Sequence, residues 1–190
     1  RCPVHVRERQ HRLRRVGGGG TASVWAATDR KSGGDVAIKS LHAELKLMKK
    51  SRTRFEREAQ VLASLHHPHI ARLLDHHLDY ENPYFVLELL EGRTLADLIG
   101  SHSSSDTPMQ LTSVIRIFEE ICSGVAHAHE RGILHRDLKP GNVMVDPTKV
   151  LDFGLAKLAD GPLDQATTAG RQIGSYFYMA PEQTYGQESS

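Results

Sequence analysis

The stretch His135-Arg136-Asp137-Leu138-Lys139-Pro140-Gly141-Asn142 gathers an imidazole, a guanidinium, a carboxylate, an ammonium and a carboxamide at fixed offsets within one short run. Immediately downstream, residues 143–145 and 149–151 are short apolar-rich strands, with Asp146-Pro147-Thr148 as the turn between them. A symmetric hairpin of that length pairs position 142 with position 152. Asn142 and Asp152 are therefore expected to emerge opposite one another, close enough to share one hard cation through oxygen.

Working upstream, Thr112 is expected to cap a long helix that ends near Gly132 and bears the apolar stripe Val114, Phe118, Ile121 and Val125. Residues 101–106 read as a loop, and strands are expected at 70–74 and 84–89. Residues 52–65 have a helical period, with Phe55, Leu62 and Leu65 on one stripe. Glu58 lies on that same stripe. A carboxylate facing a core is costly unless a cation meets it. Lys39, at the end of the β-branched run Val36-Ala37-Ile38, supplies one, so an ion pair between Lys39 and Glu58 is expected. Further upstream, residues 11–16 and 23–28 form a hairpin around Gly17-Gly18-Gly19-Gly20-Thr21-Ala22. Glycines in such a turn let backbone N–H groups approach phosphate oxygens without side-chain obstruction. The strand–loop–strand context disfavours a Walker-type loop or a dinucleotide fingerprint.

These motifs, over roughly residues 12–183, resemble the Ser/Thr protein kinase family, and its bacterial-type domains most closely. The glycine cluster is similar to the family's G-x-G-x-x-G-x-V loop, with Gly17 and Gly19 matching and Ala22 replacing the third glycine. The resemblance implies catalytic roles for Asp137 as general base, Lys139 at the transferring phosphoryl group, and Asn142, Lys39 and Glu58. It implies ATP and Mg2+ as cofactors, the metal being held by Asn142 and by Asp152 of Asp152-Phe153-Gly154. Nucleotide contacts are implied for Val16, Gly17, Gly18, Gly19, Gly20, Thr21, Ala22, Val24, Ala37, Lys39 and Met144. The same holds for the backbone of Glu88 and Leu90, with Leu87 as gatekeeper, and for Asp152. His135 is expected in the core, stacked with Phe153, Leu62 and Leu73. Ala180-Pro181-Glu182 resembles the end of the activation segment, which places Thr167 and Thr168 as phosphorylation sites, Arg136 as a partner for the phosphate, and Ser175 beside Asp137. Lys139-Pro140 resembles Ser/Thr rather than tyrosine kinases.

The expected architecture is α+β and two-lobed: a small β-rich N-lobe over 11–89 and an incomplete helical C-lobe over 90–190, the whole a partial kinase domain. The implied function is transfer of the ATP γ-phosphate to Ser/Thr hydroxyls of protein substrates, with homodimers for trans-autophosphorylation. The alternative is a pseudokinase that binds without catalysis, against which stand Lys39, Glu58, Asp137, Asn142 and Asp152. A small-molecule kinase is disfavoured by Lys139-Pro140 and the activation-segment motif.

Bulk properties narrow the field further. The 190 residues carry 24 basic and 23 acidic side chains for a net charge of +1, which signals neither nucleic acid nor membrane surface. Mean hydropathy is −0.40 and no stretch has the apolar length of a membrane helix. Cys2 and Cys122 cannot build a disulfide framework, and Cys122 is expected as a reduced core residue. With no signal peptide, the expected location is cytoplasmic, any membrane anchor lying outside these residues. Among the twelve histidines, His66, His67 and His69 surround Pro68, and a surface or structural role rather than metal binding is expected for them. The chain opens on Arg1 and stops eight residues after Glu182, so weak or no activity is expected from residues 1–190 alone.

Overall fold

The computed structural model describes residues 10–103, 108–153 and 178. The chain divides into two compact units, one of Arg1–Ser64 with Arg72–Glu91, the other of Leu65–Ala71 with Gly92–Ser190.

In the first unit β1 (Gln10–Gly18), β2 (Ala22–Asp29), β3 (Asp35–Leu41), β4 (Leu73–His77) and β5 (Tyr84–Glu88) form an antiparallel sheet in the order β1-β2-β3-β5-β4. Strand β3 lies at its centre, which suits the run Val36-Ala37-Ile38. The pleat sends alternate residues to opposite faces. On one face Ile38 sits against Trp25 and Val86, in a core with Ala27, Val36 and Tyr84. On the other, Lys39 lies between Val24 and Phe85.

Helix α1 (Lys49–Ser64) buries Phe55, Ala59 and Leu62 at helical spacing, and the Phe55 and Phe85 rings meet at 4.9 Å between centroids. The helix begins three residues before the expected start. The expected strand at 70–74 is displaced: β4 begins at Leu73, and Ile70 makes an isolated parallel bridge to Val150.

The second unit contains β6 (Arg93–Thr94), α2 (Leu95–Ser103), α3 (Leu111–His129), β7 (Val143–Val145) and β8 (Lys149–Val150), the strands forming a sheet in the order β6-β7-β8. Residues 101–103, expected as loop, continue α2. Its start is a capping box: Asp97 N–H donates to Thr94 Oγ1 at 3.2 Å, and Asp97 Oδ2 accepts from the Thr94 N–H at 3.0 Å. Ser101 and Ser103 lie within the helix with their hydroxyls donating back to Leu98 O and Ile99 O.

Helix α3 departs from its expected cap and face. Gln110 occupies the N-cap without a side-chain hydrogen bond, and Thr112 lies inside the first turn. The C-terminus closes on Gly132 (φ 69°), whose N–H donates to His129 O while Ile133 N–H donates to Ala128 O, a Schellman arrangement. The buried face is Ile117, Ile121, Gly124 and Ala128, whereas Val114, Phe118 and Cys122 are exposed.

The reason is steric. A Cβ on Gly124 would stand 2.9 Å from the His69 carbonyl oxygen, so only this face lets the helix approach Leu65–Ala71. That segment is in turn laced to β8: Val150 N–H donates to His69 O at 2.9 Å and Ala71 N–H to Val150 O at 3.0 Å.

Gly124→Ala is expected to destabilise the fold by about 1–3 kcal/mol through overpacking against backbone. Gly100→Ala, in α2 with nothing within 4 Å of the added methyl, is expected to be neutral or to stabilise by up to about 1 kcal/mol. Thermal melts of the two variants test this; a Gly124→Ala protein that melts no lower than wild type would refute the steric limit.

Candidate active site

Two constellations of polar side chains arise, one in each unit. The first is Lys39 with Glu58. Lys39 is only 9% exposed, held by its neighbours in the centre of the sheet, and its Nζ is 2.6 Å from Glu58 Oε1. The pair expected from the strand and helix patterns is therefore present. Lys39 Nζ also stands 5.8 Å from the centroid of the Phe85 ring, over its face. The backbone ladder fixes the lysine's direction, and the Phe55–Phe85 contact fixes the helix that brings the carboxylate.

At the open end of β1 and β2, Gly17, Gly18, Gly19, Gly20 and Thr21 are exposed, and Val16 is 41% exposed. The turn is closed by Gly19 N–H donating to Ala22 O at 3.0 Å. Gly18, rather than Gly17 or Gly19, is the position that demands glycine. Its φ is 154°, and an added Cβ would lie 3.0 Å from Ala22 O and 3.2 Å from Ser23 Cα. Around Gly19 and Gly20 nothing lies within 4 Å of such a methyl. Ala22 itself is buried, Val24 half-buried and Ala37 buried. Leu87, Glu88 and Leu90 are half-buried, and the Glu88 N–H donates to Arg72 O at 3.0 Å.

The second constellation centres on Asp137. Lys139 Nζ lies 3.1 Å from Asp137 Oδ2, and Asn142 Nδ2 donates to the same oxygen at 3.2 Å and to Asp137 O at 2.8 Å. Asn142 is delivered by the short 3-10 turn Pro140–Asn142 that leads into β7. The backbone before Asp137 is tightly turned: Arg136 has φ 59°, and Asp137 N–H donates to His135 O at 2.9 Å. A left-handed arginine costs about 1–3 kcal/mol and persists only where surroundings impose it.

His135 is one of those surroundings. It is 3% exposed and packed on Phe153, with ring centroids 4.8 Å apart. Its Nε2 meets Leu151 O at 2.8 Å, and its Nδ1 accepts from Asp137 N–H at 3.3 Å. A neutral imidazole with its proton on Nε2 satisfies both bonds at once.

The hairpin register differs from the symmetric expectation. Val143 pairs with Val150 and Met144 with Lys149, so the ladder extends to Asn142 opposite Leu151, whose N–H donates to Asn142 O at 2.8 Å. Asp146, Pro147 and Thr148 lie between the two strands as expected, so the difference is in the pairing and not in the length of the turn. A one-residue slip exchanges the two faces of a strand. Asp152 thus sits one position beyond the partner of Asn142, with φ 46°. Met144 and Asp152 are half-buried. Gly154, Thr167, Thr168, Ser175 and residues 180–182 lie outside the described residues.

The left-handed residues Arg136 and Asp152 escaped the sequence reading because neither is a glycine. Two of the clustered histidines have structural partners, and His66 is exposed: His69 Nδ1 bonds Thr148 O at 3.0 Å, and His67 Nε2 lies 3.3 Å from Ser123 Oγ. Among the described residues no three His, Cys, Asp or Glu side chains converge to hold a metal ion, and no helix is long and apolar enough to cross a membrane.

The family model described as "Protein kinase domain" matches residues 10–190. Over 182 residues, 92% of this chain, it is 38% identical to the serine/threonine-protein kinase Pkn1 of Myxococcus xanthus. Over 177 residues it is 37% identical to the serine/threonine-protein kinase PrkC of Bacillus subtilis. The chain spans about a quarter of the length of these relatives, 25% and 26%. Among solved structures, the Mycobacterium tuberculosis PknI kinase domain superposes with a TM-score of 0.69 at 23% identity, covering 96% of this chain and 66% of that one. This last likeness concerns the fold.

Burial holds the His135 pKa below its ordinary value of 6.5, outweighing the Leu151 carbonyl and the carboxylates of Asp137 and Asp152, which act the other way. His67 is lowered too, first by burial and then by His127, His69 and Arg131. As pH falls through 6.5 the unfolded chain takes up these protons before the folded one does. The stability they contribute is present above that pH and lost below it. Melting temperature is therefore expected to fall from pH 7.5 to pH 5, with a shallower slope in His135→Phe and a residual slope from His67. An identical slope in the variant would sink this account.

Proposed function

Because the chain belongs to the protein kinase domain family, we propose that it transfers the γ-phosphate of ATP to serine and threonine hydroxyls of protein substrates. The observation that carries the reading is the convergence of Lys139 and Asn142 on one oxygen of Asp137. An ammonium and a carboxamide on Oδ2 fix the carboxylate's orientation, as a base for a hydroxyl proton requires. Lys139, held there, is also available to stabilise charge on a transferring phosphoryl group. Lys39, pre-paired with Glu58, holds the α- and β-phosphates in this reading.

The donor set suits a hard cation. Asn142 donates through its amide nitrogen to Asp137 O and Oδ2, which turns its oxygen away from Asp137. Asn142 and Asp152 are the residues that would hold Mg2+. When bound, the ion would offset the negative charge of the phosphate groups. For the nucleotide, Val16, the turn from Gly17 to Ala22, Val24, Ala37 and Met144 would contact ATP. The Glu88 N–H is engaged by Arg72 O, so the adenine contact at that residue falls to its carbonyl, with the Leu90 N–H as donor.

The same reading makes residues 11–89 the N-lobe and 90–190 the C-lobe of a partial kinase domain. Trans-autophosphorylation at Thr167 or Thr168 within a homodimer, and a cytoplasmic setting, belong to it as well. The names of Pkn1 and PrkC support the Ser/Thr class.

Transfer of radiolabelled phosphate from ATP to a generic Ser/Thr substrate by the full-length protein tests the proposal. Asp137→Asn is expected to lose about 10²–10⁴-fold in kcat. Lys39→Met is expected to lose on the order of 10²-fold or more. Wild-type transfer by both variants would overturn the assignment.

A further inference from the structure

We propose that Arg52 is a positioning residue for phosphotransfer: it clamps the first turn of α1 to the bend between β4 and β5, and so holds Glu58 on Lys39. The inference rests on the reading of Lys39 and Glu58 given above, and adds a residue that none of the sequence motifs contains.

The Arg52 guanidinium uses its fork in two directions. Nε donates to Glu56 Oε1 at 2.8 Å, one helical turn along α1. Nη2 donates to Leu78 O at 2.6 Å and to Tyr80 O at 3.3 Å. The side chain is 32% exposed, sheltered enough for charge-assisted bonds to backbone carbonyls to hold. Only a planar fork reaches a carboxylate on its own helix and two carbonyls on another segment together; a lysine ammonium cannot reproduce that geometry.

What the clamp grips is rigidly tied to the lysine. The bend runs through Pro83, whose carbonyl accepts from Leu41 N–H at 3.2 Å, into β5, where Phe85 lies directly opposite Lys39. Phe55 of α1 rests on Phe85. Arg52 and Glu58 lie three residues either side of Phe55, about 4.5 Å along the helix axis in each direction. Phe55 is thus a fulcrum, with the clamp at one end of the lever and the Glu58 carboxylate at the other. With Arg52 removed, the first turns of α1 lose their tie to the bend, and the helix, packed through Phe55, Ala59 and Leu62, can pivot enough to shift the Glu58 carboxylate off the ammonium. Lys46 and Glu81 offer a second tie to the same bend, but Glu81 is 74% exposed, and such surface pairs hold weakly.

A double-mutant cycle in the full-length protein tests this, read by kcat and by hydrogen exchange of residues 49–58. Arg52→Ala is expected to lower kcat about tenfold, with faster exchange in the first turns of α1. Adding Arg52→Ala to Glu58→Gln is expected to cause no further loss, because Arg52 acts through Glu58. Arg52→Lys, which keeps the charge without the fork, is expected to fall between wild type and alanine. It also serves as the probe if the alanine variant does not fold. Wild-type kcat and exchange in Arg52→Ala or in folded Arg52→Lys would overturn the proposal, as would losses that multiply in the double variant. A harmless Glu58→Gln would instead overturn the role given to the Lys39–Glu58 pair itself.

Discussion

A lysine ammonium enclosed in the middle of a sheet must have a counter-charge within a few ångströms, and Glu58 is that counter-charge for Lys39. Much of the first unit follows from this requirement. Glu58 has to face the sheet, so α1 has to pack with Phe55, Ala59 and Leu62 inward. Lys39 has to point to that same face, which sends Ile38 to the opposite one and sets the alternation across β2 and β5. The pair is not a source of stability in itself. Buried ion pairs are often replaceable by packed apolar residues at no cost, whereas deleting one partner is damaging. What the pair accomplishes is to keep a cation desolvated and aimed in advance, a condition that the proposed phosphate contact needs and folding does not.

The second unit solves a different problem, holding a carboxylate in one orientation by hydrogen bonds and backbone turns. His135 accepts the Asp137 main-chain N–H on its ring, which determines where that residue begins. The left-handed Arg136 is tolerated because His135 is anchored by Leu151 O and by Phe153. The side-chain contacts from Lys139 and Asn142 then act on a residue whose backbone is already fixed.

Features that declare themselves through a mismatch were legible in the sequence. Glu58 on an apolar stripe and Lys39 closing an apolar strand each broke a pattern, and each break named its partner. Features set by fine steric fit were not. The largest apolar residues of α3 suggested a face through Val114 and Phe118, but Gly124 decides the matter by admitting the His69 carbonyl. Cys122 fell outside the buried face for the same reason. The hairpin register turned on which residue of β8 pairs with Val143, which composition does not distinguish. Gly18 is the demanding glycine of its cluster because of a φ value, and four consecutive glycines conceal which one matters.

The passage of Leu65–Ala71 through the second unit has a consequence for modularity. Polypeptide crosses from one unit to the other three times, after Ser64, after Ala71 and after Glu91. Within the second unit that short visit is bonded to β8 and to the turn before it, through residues as distant in sequence as His69 and Thr148, 79 positions apart. The unit that carries Asp137 therefore lacks one of its own layers until a segment made much earlier is threaded into it. No single cut yields two self-sufficient pieces. A chimera joined at Gly92 would inherit Leu65–Ala71 from one parent and the strand that receives it from the other, so the two halves must change together.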